Sequence, residues 1–189
     1  MNTLKILLVL ISGFTFLSAN AQDESPKGFS TGKIVLADGS TLSGPVKDKI
    51  RSNASVVLID NNKKKNYDGS DLLSAEIGDQ KFLCIRGDFF RVICDGEMKF
   101  LQKSSDASGK PMYNGNQAVF TNGTDGKPGD YFVYGKDKQL KLVTRKTLTT
   151  VVADSFAGCE EAIASAKQAG DDVAKLGDAV VIYNSRNSK

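Results

Sequence analysis

Gly32-Lys33-Ile34-Val35-Leu36-Ala37-Asp38-Gly39-Ser40-Thr41-Leu42-Ser43-Gly44-Pro45-Val46 places two short β-rich runs on either side of an Asp-Gly pair. Asp38-Gly39 is a two-residue hairpin signal, because such turns need positive φ, which glycine adopts freely and aspartate tolerates. Pro45 cannot donate to a ladder, so the end of the returning strand is expected at an edge or a bulge. The same pattern repeats downstream. Residues 56–59 form a short apolar run that turns at 60–64 and returns through Lys65-Asn66-Tyr67. Residues 72–77 follow, closed by Gly78-Asp79. Residues 81–86 and 89–94 flank Gly87-Asp88, and Asp95-Gly96 leads into 97–102. Strands every 8 to 12 residues or so, with turn signals between them, indicate an antiparallel meander. Phe89-Phe90-Arg91-Val92-Ile93-Cys94 lacks clean alternation, as expected for a strand covered on both faces.

The pattern then loosens. Residues 103–129 are poor in apolar side chains and rich in Gly, Ser, Asn and Asp, so they read as the long-loop part of the domain, with Tyr113 and Gln117-Ala118-Val119-Phe120 its structured pieces. Residues 130–134 and 139–143 form one more hairpin. Beyond it the period becomes helical. Thr144 is placed to cap a first helix, on which Leu148, Val151 and Val152 share a face. Residues 160–169 form a second, stopped by Gly170, and 172–183 a third, with Val173, Leu176, Val180 and Tyr183 on one stripe and Gly177 weakening it. The reading is an α+β fold: an antiparallel β-meander, able to close partly into a barrel, followed by two or three short C-terminal helices packed on the sheet. The expected organisation is a signal peptide over 1–21, a flexible leader over 22–31, a β-rich domain over 32–143 and a helical segment over 144–189.

Residues 1–21 have the three parts of a secretory signal: Lys5, an apolar run from Ile6 to Leu17, and the small-x-small site Ala19-Asn20-Ala21. The run is about 12 residues, short of the ~20 a transmembrane helix needs. Cleavage is expected between Ala21 and Gln22, giving a periplasmic or secreted protein with no transmembrane segment in the mature chain. Loss of Lys5 lowers the formal net charge from +3 to +2, too little to point to nucleic acid. Lys63-Lys64-Lys65 reads as a solvated turn.

No histidine is present, which removes the usual general base near neutral pH and the Ser-His-Asp and Cys-His arrangements. Phosphate-binding glycine loops are also absent. No catalytic residue, metal ligand or cofactor is assigned, and the binding residues are unknown at this level. Asn122, Asp125 and Asp130 raise the question of a calcium loop at 122–130, but Lys127 sits among the oxygens and no terminal Glu follows. Asn53-Ala54-Ser55 and Asn122-Gly123-Thr124 match the glycosylation triplet, a short motif of low specificity. Tyr113, Tyr131, Phe132 and Tyr134 offer a candidate platform for a sugar or peptide, with Phe132 and Tyr134 on one face of their strand and Tyr131 on the other. Cys84, Cys94 and Cys159 are an odd number, allowing at most one intramolecular bridge. With Gly87-Asp88 as a two-residue loop, Cys84 faces Arg91 and Cys94 faces Lys81, so the two thiols point to opposite faces and do not pair. Whether Cys159 pairs with either is open.

The segment 32–44, read as G-x-I-x-L-x-DG-x-x-L-x-G, joins Phe90-Arg91-Val92-Ile93-x-x-Gly96, Asp130-Tyr131-Phe132-Val133 and Val181-Ile182-Tyr183-Asn184 in a set that resembles the uncharacterised exported β-rich proteins common in Bacteroidota. The resemblance implies an envelope location and no established activity. Such relatives often carry a Cys before the penultimate helix, like Cys159, and another after the final Tyr-Asn; here that place is held by Asn184-Ser185-Arg186. The function expected is non-enzymatic binding of an envelope protein or glycan. The alternatives are a carbohydrate- or small-ligand-binding module built on the Tyr-rich strand and the 103–129 loops, and a histidine-free hydrolase with paired carboxylates.

Overall fold

The computed structural model describes residues 26–114, 117–120 and 123–187. The expected signal segment and its cleavage site lie outside them, as does Asn122. The hairpin signals produce ten antiparallel strands in one sheet. In chain order these begin with β1 (Ser30–Leu36), β2 (Thr41–Lys49), β3 (Ser55–Asp60), β4 (Lys63–Asp68), β5 (Leu72–Ile77), β6 (Gln80–Ile85), β7 (Asp88–Cys94) and β8 (Lys99–Lys103). A separate hairpin, β9 (Pro111–Asn114) and β10 (Gln117–Phe120), interrupts the order before β11 (Tyr131–Tyr134) and β12 (Leu140–Val143). A one-turn helix α1 (Ile50–Asn53) links β2 to β3, and α2 (Leu148–Ser155), α3 (Glu160–Ala169) and α4 (Leu176–Asn187) close the chain. The sheet runs β12-β11-β8-β7-β6-β5-β1-β2-β3-β4 and does not close into a barrel. Among the described residues no helix is long and apolar enough to cross a membrane.

Several turns differ from the sequence reading, each for a local reason. The Asp38-Gly39 loop is three residues, because Leu36 N–H bonds the Ser40 carbonyl at 2.8 Å and Gly39 N–H bonds the Leu36 carbonyl at 2.9 Å, with Gly39 left-handed at φ 85°. Pro45 lies in an interior strand, at the point where the ladder to β3 has not yet begun; pairing with β3 starts at Val46↔Leu58. The Lys63–Lys65 run is strand, not turn, since Asn61 and Asn62 both accept left-handed backbone and complete the loop. These lysines sit exposed on β4, an edge of the sheet, where charge discourages pairing with another chain.

The β6–β7 turn is Arg86-Gly87, not Gly87-Asp88: Ile85 pairs with Asp88 and Cys84 with Phe89. Asp88 is drawn into the strand because its carboxylate has buried partners, described below. Ile93 is then a bulge, with Val92↔Leu101 followed by Cys94↔Phe100, so Cys94 returns to the face that carries Cys84. The opposite-face reading is therefore corrected. Five residue steps of strand still separate Cys94 from Phe89, opposite Cys84, about 16 Å along the chain. All three cysteines are free thiols.

Strands β1 to β7 curl around one apolar cluster that includes Ile34, Val46, Val56, Leu58, Tyr67, Phe82 and Phe89. The curl brings the chain after β4 against the β6–β7 turn: a Cβ on Gly69 would lie 2.1 Å from the Gly87 carbonyl oxygen. The helices cover the other half of the same face, packing Val151, Val152, Ala162, Leu176 and Val180 against Phe100, Val133 and Val143. The expected stripes hold, and Thr144 caps the turn that leads into α2: its Oγ1 accepts from Thr147 N–H at 3.2 Å, and Thr147 Oγ1 accepts in return from Thr144 N–H at 2.9 Å. Leu148 N–H bonds the Thr144 carbonyl at 2.8 Å, and α2 begins at Leu148. α4 begins at Leu176 after a 3-10 turn over Val173–Lys175. Gly177 is where α4 meets the sheet, 3.4 Å in Cβ terms from both Cys94 Sγ and Phe100. Asn184 fastens the far end. Its amide accepts from Met98 N–H at 2.9 Å and donates to the Met98 carbonyl at 2.8 Å.

Candidate functional site

On the curled face, register aligns Ala75, Phe82, Arg91, Gln102, Tyr131 and Val143 in one row across six strands. Four members are apolar or aromatic and pack into the two clusters. The two central ones are an arginine and a glutamine, both half-buried. Polar side chains at core-facing positions are informative, because desolvating them without partners is costly. Here they face a cleft of about 340 Å³ lined by Asp48, Arg51, Gln80, Phe82, Arg91, Gln102, Lys103, Ser104, Pro128 and Gly129. The cleft lies between α1 and the middle strands of the sheet. β6, β7 and β8 supply one wall, and the end of β2 with α1 supplies Asp48 and Arg51.

The wall is ordered. Gln102 donates through Nε2 to the Gly129 carbonyl at 3.2 Å, which turns its Oε1 to accept from Arg91 Nη2 at 2.7 Å. Among the described residues this is Arg91's one side-chain hydrogen bond, and neither Arg91 nor Arg51 has a carboxylate within ion-pair distance. A guanidinium carries five donors in a planar fork, so most of the Arg91 donors are left without a protein acceptor among the described residues. Asp48 is the single carboxylate in the lining, and its Oδ1 accepts from Ile50 N–H at 2.7 Å. An adjoining hollow of about 430 Å³ shares Gln80 and Arg91 and runs on to Lys81 and Asp95.

The cleft contrasts with the other cavities. A space of about 190 Å³ beside α2 has most of its charges paired, Lys136 with Glu97 at 2.7 Å and Lys141 with Asp137 at 3.8 Å, leaving Asp154 without an ion pair among the described residues. A groove of about 410 Å³ between α2 and α3 is apolar, lined by Leu148, Val152, Ile163 and Ala166 among others.

Behind the cleft wall lies a buried ion pair. Asp88 and Lys103 are both shielded from solvent, with Lys103 Nζ 3.1 Å from Asp88 Oδ2. The Asp88 carboxylate accepts from Ala107 N–H at 2.7 Å, Thr124 N–H at 2.8 Å and Thr124 Oγ1 at 2.6 Å. Lys103 donates to the carbonyls of Thr124 at 2.7 Å and Gly126 at 3.1 Å, with Asp125 at 3.4 Å. Ser105 Oγ accepts from Phe89 N–H at 2.8 Å. These bonds pin both ends of the 104–126 excursion to β7 and β8. Ala107 is carried into the core of the curl, so this excursion, rather than the C-terminal helices, packs on that end of it. Gly123 fits the crowding: its φ is 63°, and a Cβ would lie 2.6 Å from Ser108 Oγ.

The carbonyls of the 122–130 segment that a cation would use instead hold the Lys103 ammonium, and Asp130 Oδ2 accepts from Lys127 N–H at 2.9 Å. Tyr131 stacks on Phe100 under the helices, centroids 5.2 Å apart and planes at 6°. Phe132 packs edge-on against Phe90 on the opposite face, with Tyr134 beside them. The side chain of Tyr113 lies outside the described residues. The aromatic platform therefore does not assemble from Tyr131, Phe132 and Tyr134, although their division between faces is as alternation requires. Sequence reasoning does not single out Arg91, Gln102 or Asp48. The available signal is Arg91, a charge inside a strand that reads as covered on both faces.

Asp95 closes the adjoining hollow. Burial alone would raise its pKa, but hydrogen bonds from Lys81, at 2.6 Å, and from Lys99 outweigh that and hold it at about 2. Against an unfolded value of about 3.9, this stabilisation is present above roughly pH 4 and is lost as pH falls towards about 2. Asp95→Asn is expected to flatten the acid limb of Tm against pH over that window while leaving the neutral limb nearly parallel to wild type. An unchanged acid limb would show that the two lysines do not stabilise the ionised form.

Comparison with protein-family models, with curated proteins and with solved structures finds no match.

Proposed function

We propose that this is an exported, non-enzymatic protein of the cell envelope that binds a partner or ligand through the Arg91 cleft. The observation that carries the reading is the guanidinium of Arg91 at a core-facing register position, oriented by Gln102 and free of any carboxylate within ion-pair distance among the described residues. At a core-facing position a charged side chain carries a desolvation cost that an apolar one would not, so its placement fits recognition better than packing. The signal-like segment supports export, and Asp48 as sole carboxylate in the cleft gives little support to two-carboxylate hydrolysis, which needs a facing pair. A thermal-shift screen of the chain from Gln22 onward against envelope glycans, peptides and small acids tests this. The expected result is at least one compound that raises Tm in the wild type and not in Arg91→Ala, and that is recovered unaltered. A stabilising compound indifferent to Arg91, or one converted to product, contradicts the reading.

A further inference from the structure

Resting on that reading, the geometry points to the class of ligand: we infer that the cleft takes a small carboxylate-bearing molecule that also carries hydroxyl or ammonium donors. Charge decides the first half. Lys103 is neutralised by Asp88 behind the wall, leaving Arg51 and Arg91 against one carboxylate, Asp48. Within its own lining the cleft therefore holds an excess of one positive charge. A guanidinium whose fork is partly fixed from behind pairs best with a planar oxyanion, in bidentate fashion.

The second half follows from the acceptors. Asp48 is exposed and retains lone pairs beyond the one bonded to Ile50 N–H. A simple acid would leave that carboxylate facing another negative charge, whereas a hydroxyl or ammonium group on the same ligand donates to it. Gln80 supplies both a donor and an acceptor at the mouth. Phe82 is only 3% exposed, so the floor presents little aromatic surface for stacking a neutral sugar ring. Polar contacts must then supply the affinity, and the charged one supplies most.

Calorimetric titration with D-galacturonate, D-galactose and acetate tests the inference, since the three share or lack the carboxylate and the hydroxyls. Galacturonate is expected to bind at least about tenfold more tightly than either, the scale of one charge-assisted contact. Arg91→Lys and Arg91→Ala should each lose at least about tenfold for galacturonate, because the fork and not charge alone is required. Asp48→Asn should narrow the gap between galacturonate and acetate. Equal affinity for galacturonate and galactose, or no galacturonate binding, overturns the ligand class. If a neutral compound from the thermal screen still depends on Arg91, the cleft stands as the binding site and only the class fails; if every compound is indifferent to Arg91, both fail.

Discussion

Asp88→Ala is expected to cost about 5 kcal/mol of folding stability and Lys103→Met about 3, the two ends of the range for breaking a buried pair. The order follows from what each change strands. Without Asp88, the Lys103 ammonium keeps its carbonyl acceptors, but the N–H groups of Ala107 and Thr124 and the Thr124 hydroxyl all lose this acceptor. Without Lys103, the carboxylate keeps three donors and only carbonyls are left unmet. The Asp88→Ala/Lys103→Met double variant should cost less than the sum of the singles, because it leaves no lone buried charge behind. Denaturant unfolding of the four proteins measures this. Additive costs, or a larger loss for Lys103→Met, would mean that the excursion over 104–126 is held by something else.

Phe100→Ala is expected to cost about 4 kcal/mol, within the range for deleting a buried aromatic. Phe100 has no exposed surface, stacks on Tyr131, and lies where Gly177 brings α4 against the sheet. The cavity would open under the helices and not within the curl. Amide exchange should therefore speed up in α3 and α4 more than in β1–β5. A uniform acceleration, or a cost below about 1 kcal/mol, would show that the helices do not depend on this contact.

The alternation and turn pattern makes the meander and the helical end legible from sequence, because hydrophobic period is a local property. The errors come where tertiary partners outcompete local preference. Asp88 looks like a turn residue, yet Lys103, far along the chain, draws it into β7 and moves the turn to Arg86-Gly87. Ile93 reads as a plain strand residue, and only pairing with β8 shows it to be a bulge. Pro45 signals an edge, but the limit of the β2–β3 ladder accommodates it in the interior. The cleft is less legible than the fold. Its walls come from β2, α1, β6, β7, β8 and the turn before β11, and nothing in the spacing of Asp48, Arg91 and Gln102 announces that the curl will bring them together. The tyrosines draw notice by chemistry and density, but in the fold Tyr131 is core and Tyr134 is half-buried against a second cluster.

On the proposed function Arg91 belongs to a binding site and not merely to the sheet. Nitrogen-15 spectra of the arginine Nε–H and glutamine side-chain amide groups, recorded while D-galacturonate is added, test it most directly. Saturable shifts are expected at Arg91, Gln102 and Gln80. Those three signals unmoved at galacturonate concentrations that saturate the calorimetric titration would contradict it.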